Sequence, residues 1–240
     1  MFIEILEPRI ALSASGAQGT IVGSEIARGV QRAAISTPVP AKRTDLVTTG
    51  RNRFFILEPG FTTVYAGNED GQHKRLTVTV LAKTRIIDGI RTRIVLERQT
   101  SNGHIEEISQ NYFAIDKRTL NVYYFGEDVN SYNHGVVANH DGAWRSGLNG
   151  AKFGLNMPAN PVVGMQYEQE RAPGVAQDQA EIFQMGLRAH VPAGIFHGSM
   201  KTAESSPLEP GVVEYKLYAP GIGLVQDDTL ELVSHSRIAD

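Results

Sequence analysis

The sequence predicts an all-β protein, a curved antiparallel meander forming a half-barrel or barrel, with room for one or two short helices. Three observations carry this. Apolar residues alternate with polar ones in run after run, as Leu76, Val78, Val80 and Ala82 do against Thr77, Thr79 and Leu81, which is the two-residue period of a half-buried strand. The runs are joined by Asp88-Gly89 and Asn102-Gly103, dipeptides that accept the positive φ required at both central positions of a tight hairpin turn. No stretch sustains the 3.6-residue period over an ordinary helix length.

In chain order, residues 13 to 49 are small and polar, with Gly16, Gly19, Gly23, Gly29, Pro38 and Pro40, and have little to bury. Residues 1 to 53 therefore read as a leader, in which Ile26, Val30 and Ala33 share one face of a short helix. A single β-domain is expected over residues 54 to 240. It opens on Phe54 to Gly67, where aromatic and β-branched residues flank Pro59-Gly60. Asn68 to Gly71 turns the chain into the Leu76 to Ala82 run. Ile90, Thr92, Ile94 and Leu96 follow on one face, then His104 to Asp116 and Leu120 to Phe125. Within His104 to Asp116, Ile108 and Tyr112 face oppositely to Ile105, Phe113 and Ile115, which predicts a bulge and hence curvature.

From Gly126 to Gly164 the strand pattern breaks into Gly, Asn and Asp. A loop longer than about 12 to 15 residues is usually functional or disordered, and Trp144, Phe153, Leu155 and Met157 argue for one folded back over the sheet as a lid. Strands resume over Met165 to Arg171, Gln179 to Ala189 and Ile195 to Thr202. In the closing pair Val213, Tyr215, Leu217 and Ala219 read as the dry face and Glu214 and Lys216 as the wet one, before a Pro220-Gly221 turn and a strand from Ile222.

V-P-A-G-I-F at Val191 to Phe196, then Y-A-P-G-I-G-L-V at Tyr218 to Val225, resemble the closing part of a broad group of uncharacterised bacterial extracytoplasmic β-proteins. Their sheets curve like those of lipoprotein-carrier half-barrels. Y-F-G-E at Tyr124 to Glu127, the run from Met157 to Glu170 and A-P-G-V-A-Q-D at Ala172 to Asp178 extend the likeness over residues 54 to 233. Leu6-Glu7-Pro8-Arg9 is similar to a short N-terminal segment of exported and surface proteins. The resemblance implies a curved β-fold and an extracytoplasmic location, periplasmic, secreted or at the cell surface. It implies no activity.

Composition narrows the function classes. With 240 residues, 41% of them hydrophobic, the chain can build one substantial core. The absence of cysteine excludes disulfides, thiolate nucleophiles and Cys-based metal sites. Residues 1 to 100 hold 14 Lys and Arg against 9 Asp and Glu, and residues 101 to 240 hold 9 against 17. No block of five like charges accompanies that asymmetry, so no nucleic-acid partner is expected. No apolar run approaches the ~18 residues of a membrane-spanning helix.

Among candidate sites, Tyr124, Glu127, Trp144, Phe153 and Met157 read as a ligand-binding set, with apolar contacts on the lid and Glu127 as a polar anchor. Glu127, Asp128, Asn130 and Asp141 form an oxygen-rich stretch of the kind that holds calcium, although their spacing is not that of an EF-hand. Glu168 and Glu170, two apart, fall on one strand face as an acid–base pair would. His134 and His140, and His190 and His197, have no zinc spacing, and Ser146 lacks the Gly-x-Ser-x-Gly setting of a nucleophile. The expected function is a non-enzymatic secreted or surface β-module binding a small apolar ligand, a lipid or a protein partner. A purely structural surface module and a carboxylate-dependent hydrolase are the alternatives.

Overall fold

A computed structural model describes residues 42 to 237. A short 3-10 turn, Arg43–Asp45, leads into β1 (Leu46–Val47) and a small hairpin of β2 (Gly50–Asn52) and β3 (Phe55–Leu57). Long strands follow: β4 (Phe61–Glu69), β5 (Gln72–Ile87), β6 (Ile90–Ser101), β7 (His104–Asp116) and β8 (Val122–Asn133). Shorter ones come next: β9 (Val136–Asn139), β10 (Trp144–Arg145), β11 (Lys152–Met157), β12 (Gln166–Glu168) and β13 (Glu170–Arg171). The chain then runs through β14 (Gln179–Val191), β15 (Gly194–Ser205), β16 (Glu214–Ala219), β17 (Gly223–Asp227) and β18 (Leu230–Arg237).

The strands follow one path, β12-β14-β15-β16-β17-β18-β4-β5-β6-β7-β8-β11-β13, every neighbour antiparallel. The first and last members, β12 and β13, are consecutive in the chain, with only Gln169 between them. The sheet is thus nearly closed into a barrel, with one unsealed seam. At the seam the Gln169 and Glu170 N–H groups both donate to the Asp178 carbonyl, at 2.8 and 3.2 Å. Gly154 of β11 lies so close that an added Cβ would stand 2.3 Å from the Gln169 carbonyl oxygen.

The hairpins the sequence specifies form as their chemistry requires. Asp70-Gly71, Asp88-Gly89 and Asn102-Gly103 have positive φ at both positions, and strand pairing closes directly around them at Glu69 and Gln72, Ile87 and Ile90, and Ser101 and His104. The predicted irregularity near Tyr112 is also present, although the extra residue belongs to the partner strand. Asn111 pairs with Glu127 and Phe113 with Tyr124, so two steps on β7 match three on β8.

Two expectations about boundaries are corrected. The barrel begins before Phe54. β1 pairs with β7, and the buried Arg93 guanidinium donates to the Thr48 carbonyl at 2.9 Å and to the Leu81 and Ala82 carbonyls at 3.2 and 2.6 Å. Those last two carbonyls are released by a bulge in β5, where Val80 pairs with Val95 but Thr84 with Arg93. Asn52, also buried, donates to the Leu120 and Pro158 carbonyls and accepts from the Phe54 N–H. The β2–β3 hairpin thereby docks against the barrel, burying Phe54 and Leu57 completely. The proposed leader helix at Ile26 to Ala33 lies outside the described residues.

The Gly126 to Gly164 segment is not a free lid. β8 runs through Gly126 to Asn133, and β9, β10 and β11 pair back onto it. Gly126 is the bulge residue, with φ of 117°, and an added Cβ would meet the Trp144 carbonyl oxygen at 2.2 Å. A glycine that reads as a strand breaker is the residue that lets the strand continue.

Candidate functional site

Alternation along the strands lines the barrel interior with one face of each. On β5 these residues are Leu76, Val78 and Val80; on β6, Val95, Glu97 and Gln99; on β7, Glu107, Ser109, Asn111 and Phe113; on β16, Glu214, Lys216 and Tyr218. Along β6, β7 and β16 the character changes in the same sense, from apolar to charged. The result is a lumen of two adjoining lobes. An apolar lobe of about 200 Å³ lies among Phe61, Val78, Val80, Val95 and Leu224, lined also by Phe55 and Ile56 of β3. An acidic lobe of about 240 Å³ lies among Glu97, Glu107, Glu127, Glu170, Glu204 and Glu214. Leu76, Glu97, Phe113, Asn156 and Lys216 border both.

This corrects the facing assigned to β16. Tyr215 and Val213 are exposed, while Lys216 turns inward and ion-pairs with Glu204 at 3.1 Å and Asp227 at 3.6 Å. Alternation reports two faces without saying which is inside, and a polar-lined barrel reverses the usual choice. Outside, Tyr215 and Phe183 pack with ring centroids 5.4 Å apart, and the Lys201 ammonium lies 4.1 Å from the Tyr215 centroid.

The acidic lobe has unusual protonation. Burial pushes the Glu97 carboxyl up to about 7, against an opposing pull from Lys216. Glu107 is likewise raised to about 7, by burial and then by the charges of Glu97 and Glu106. Burial also takes Glu214 to about 7, with Lys216 lowering and Asp227 raising it. Asp227 is held above the ordinary carboxylate range by burial, despite Lys216. Burial works against the Lys216 ammonium, yet Asp227 and Glu204 outweigh it and hold its pKa well above the usual lysine value.

The ligand-binding residues expected from sequence are divided between surfaces. Tyr124 and Glu127 both border the acidic lobe, brought to one face by the β8 bulge although three residues apart. The Tyr124 hydroxyl donates to Asn111 Oδ1 at 2.5 Å, and burial pushes its pKa far up. Trp144 is buried in the wall, edge-on to Tyr124 with centroids 5.4 Å apart, and borders a second cavity of about 220 Å³ that Glu127 also lines. Phe153 stacks on Phe125 and borders an outer cavity of about 840 Å³. Met157 is fully buried core. The outer cavity's charged rim is largely self-paired, Arg43 with Asp88 at 3.0 Å and Glu168 with Arg171 at 3.0 Å.

The calcium set does not converge. Glu127 and Asp128 both border the cavity beside Trp144, but Asp128 is clamped by Arg85 at 2.6 Å and Arg145 at 2.8 Å and accepts from the Tyr112 hydroxyl at 2.8 Å. Asn130 continues β8 opposite Ile108, and Asp141 sits in the turn after β9, its N–H donating to Asn139 Oδ1. Among the described residues no group of three or more His, Asp or Glu is arranged to hold a metal. The acid–base pair also separates. The break at Gln169 leaves Glu168 on the outer cavity and Glu170 on the lumen.

Sequence reasoning passed over Glu97, Glu107, Glu214, Lys216 and Asp227. The available signal was a single strand face that changes from apolar to charged, Val95-Glu97-Gln99 and Tyr218-Lys216-Glu214, repeated on several strands. No helix of the described residues is long and apolar enough to cross a membrane. No family model matches the chain, and neither the curated proteins nor the solved structures contain a significant match to it.

Proposed function

We propose that this protein is a non-enzymatic binding barrel that holds one small amphipathic molecule in its lumen, apolar part against Val78, Val80, Val95 and Leu224, polar part among the carboxyls. The observation that supports this is the adjoining pair of lobes, opposite in character and sharing Glu97 and Lys216 at their border. Concave sites lined by apolar side chains, with a few polar groups to orient the ligand, are the usual form of small-molecule sites, and barrel mouths are a common place for them. The extracytoplasmic compartment implied by the sequence resemblance belongs to the same proposal. Fractionation of the native host tests it, and recovery in the cytoplasm would count against it.

Binding is tested with the neutral fluorophore N-phenyl-1-naphthylamine. The expected result is a saturable rise in emission that Val78→Trp or Leu224→Trp, each filling the apolar lobe, reduces at least about tenfold in affinity. Circular dichroism checks that both variants remain folded, since overpacking costs about 1 to 3 kcal/mol. Absence of saturable binding, or binding indifferent to both variants, overturns the lumenal site.

A further inference from the structure

We propose that the polar end of this ligand is an organic cation, an alkylammonium or amidinium group seated in the acidic lobe among Glu97, Glu107 and Glu214. The inference rests on the lumenal reading above and adds the charge and orientation of the occupant. Glu97 is partly buried, lines the lumen where it borders both lobes, and has no hydrogen bond or ion pair among the described residues. Glu107 and Glu214 border the same lobe and are also without such a partner there. Lys216, the cation that acts on Glu97 and Glu214, cannot serve them fully, because its ammonium is already in contact with Glu204 and Asp227. A carboxyl removed from water without a donor is costly, and a cationic donor is the partner that compensates it most strongly.

The lumen also orients the occupant. On β6 the next inward residue from Glu97 is Val95, and across the ladders Val78 is opposite Glu97 and Asn111 opposite Val95. A cation beside Glu97 therefore directs its hydrocarbon substituent toward Val78, Val95 and Phe113. A bare metal ion has no use for that apolar lobe, and among the described residues no three acids stand close enough together to hold one. An anionic head would meet the field of Glu97, Glu107, Glu127, Glu170, Glu204 and Glu214, concentrated by low-dielectric walls.

The test compares hexylammonium, hexanol and hexanoate, which share one chain and differ in charge, as competitors of the neutral fluorophore. At pH ~8, where Glu97, Glu107 and Glu214 are largely ionised, hexylammonium should bind at least about tenfold more tightly than either of the others. At pH ~5.5 the three carboxyls are largely protonated and that advantage should contract. The other charged groups lining the lumen with Glu97 are Glu107 on the adjacent β7, Lys216 and Glu214 on β16, Asp227 on β17, Glu204 on β15, Glu127 on β8, Glu170 on β13, and Asp178 and Glu209 in the connections, and all are carried through both measurements. Glu97→Gln should remove most of the preference for hexylammonium over hexanol at pH ~8. Glu107→Gln, in the same lobe, makes the same comparison should Glu97→Gln fail to fold. Hexanol or hexanoate binding as tightly as hexylammonium, or a preference that survives both substitutions, overturns the cation assignment and leaves the lumenal site standing. Failure of all three ligands and of the neutral fluorophore overturns the lumenal site itself.

Discussion

Replacing Lys216 by Met keeps the volume of the side chain and removes its charge from the border of the two lobes. Glu204 and Asp227 then lose the ammonium held at 3.1 and 3.6 Å, and breaking a buried ion pair from one side costs about 3 to 5 kcal/mol. For a domain of this size each kcal/mol moves the thermal midpoint by about 2 to 4 °C, so a fall of about 6 to 20 °C is expected near neutral pH. The pH dependence has a definite sign. Lys216 lowers the pKa of Glu97, Glu214 and Asp227, and each of these acids is nonetheless above its ordinary value in the folded state. An acid whose folded pKa is raised binds more protons folded than unfolded. It destabilises the fold at high pH and loses that cost as pH falls toward its ordinary value. Removing Lys216 raises all three further, so the deficit of Lys216→Met should be largest above pH ~7 and should shrink toward pH ~5. Melting followed by circular dichroism at both values measures it, and Lys216→Met combined with Asp227→Asn should recover part of the loss. A variant equal to the parent at pH ~8, or a deficit that grows on acidification, would refute the reasoning.

Gly126→Ala should cost at least about 2 kcal/mol, because φ of 117° is strained for alanine and its Cβ meets the Trp144 carbonyl. Gly71→Ala, at φ of 74° with nothing near its added Cβ, should cost about 1 kcal/mol, so equal losses at the two sites would show that the β8–β10 approach is not limiting. Asp128→Asn should lower the melting midpoint equally in millimolar calcium and in chelator, since its carboxylate serves Arg85 and Arg145. A midpoint that calcium raises in the parent and not in the variant would instead establish the metal site.

The parts of the fold that were legible in the sequence are those fixed locally. Asp88-Gly89 and Asn102-Gly103 specify their turns whatever surrounds them, and the period of two in Leu76 to Val80 specifies a strand. What alternation leaves open is the side of the sheet that becomes interior, because that depends on closure through β18 and β4. Alternation alone therefore puts Tyr215 inside and Lys216 outside, the reverse of what the closed sheet does. Gly126 misled for a related reason, since its role comes from the approach of Trp144, eighteen residues on. Of the expected site, Tyr124 and Glu127 reach the lumen, but through a bulge whose position depends on the partner strand. Leu46 to Asn52 carries too few apolar residues to announce itself. Its place is set by Arg93 and by the three hydrogen bonds of Asn52, which join residues distant in sequence.

The pairing of β18 with β4 has a consequence for the chain as it is being made. Leu232 lies opposite Tyr65 and Arg237 opposite Phe61, so β4, the first long strand among the described residues, waits for β18, the last of them, before one of its edges is matched. Until then β4 presents a row of unsatisfied backbone donors and acceptors, the template on which one sheet recruits another. A nascent or truncated chain ending before Leu230 can still zip its local hairpins, but it remains an open ribbon whose inner face is wet. Such fragments should associate with one another through β4 and be cleared or aggregate, whereas the chain carried through Arg237 satisfies that edge from within itself.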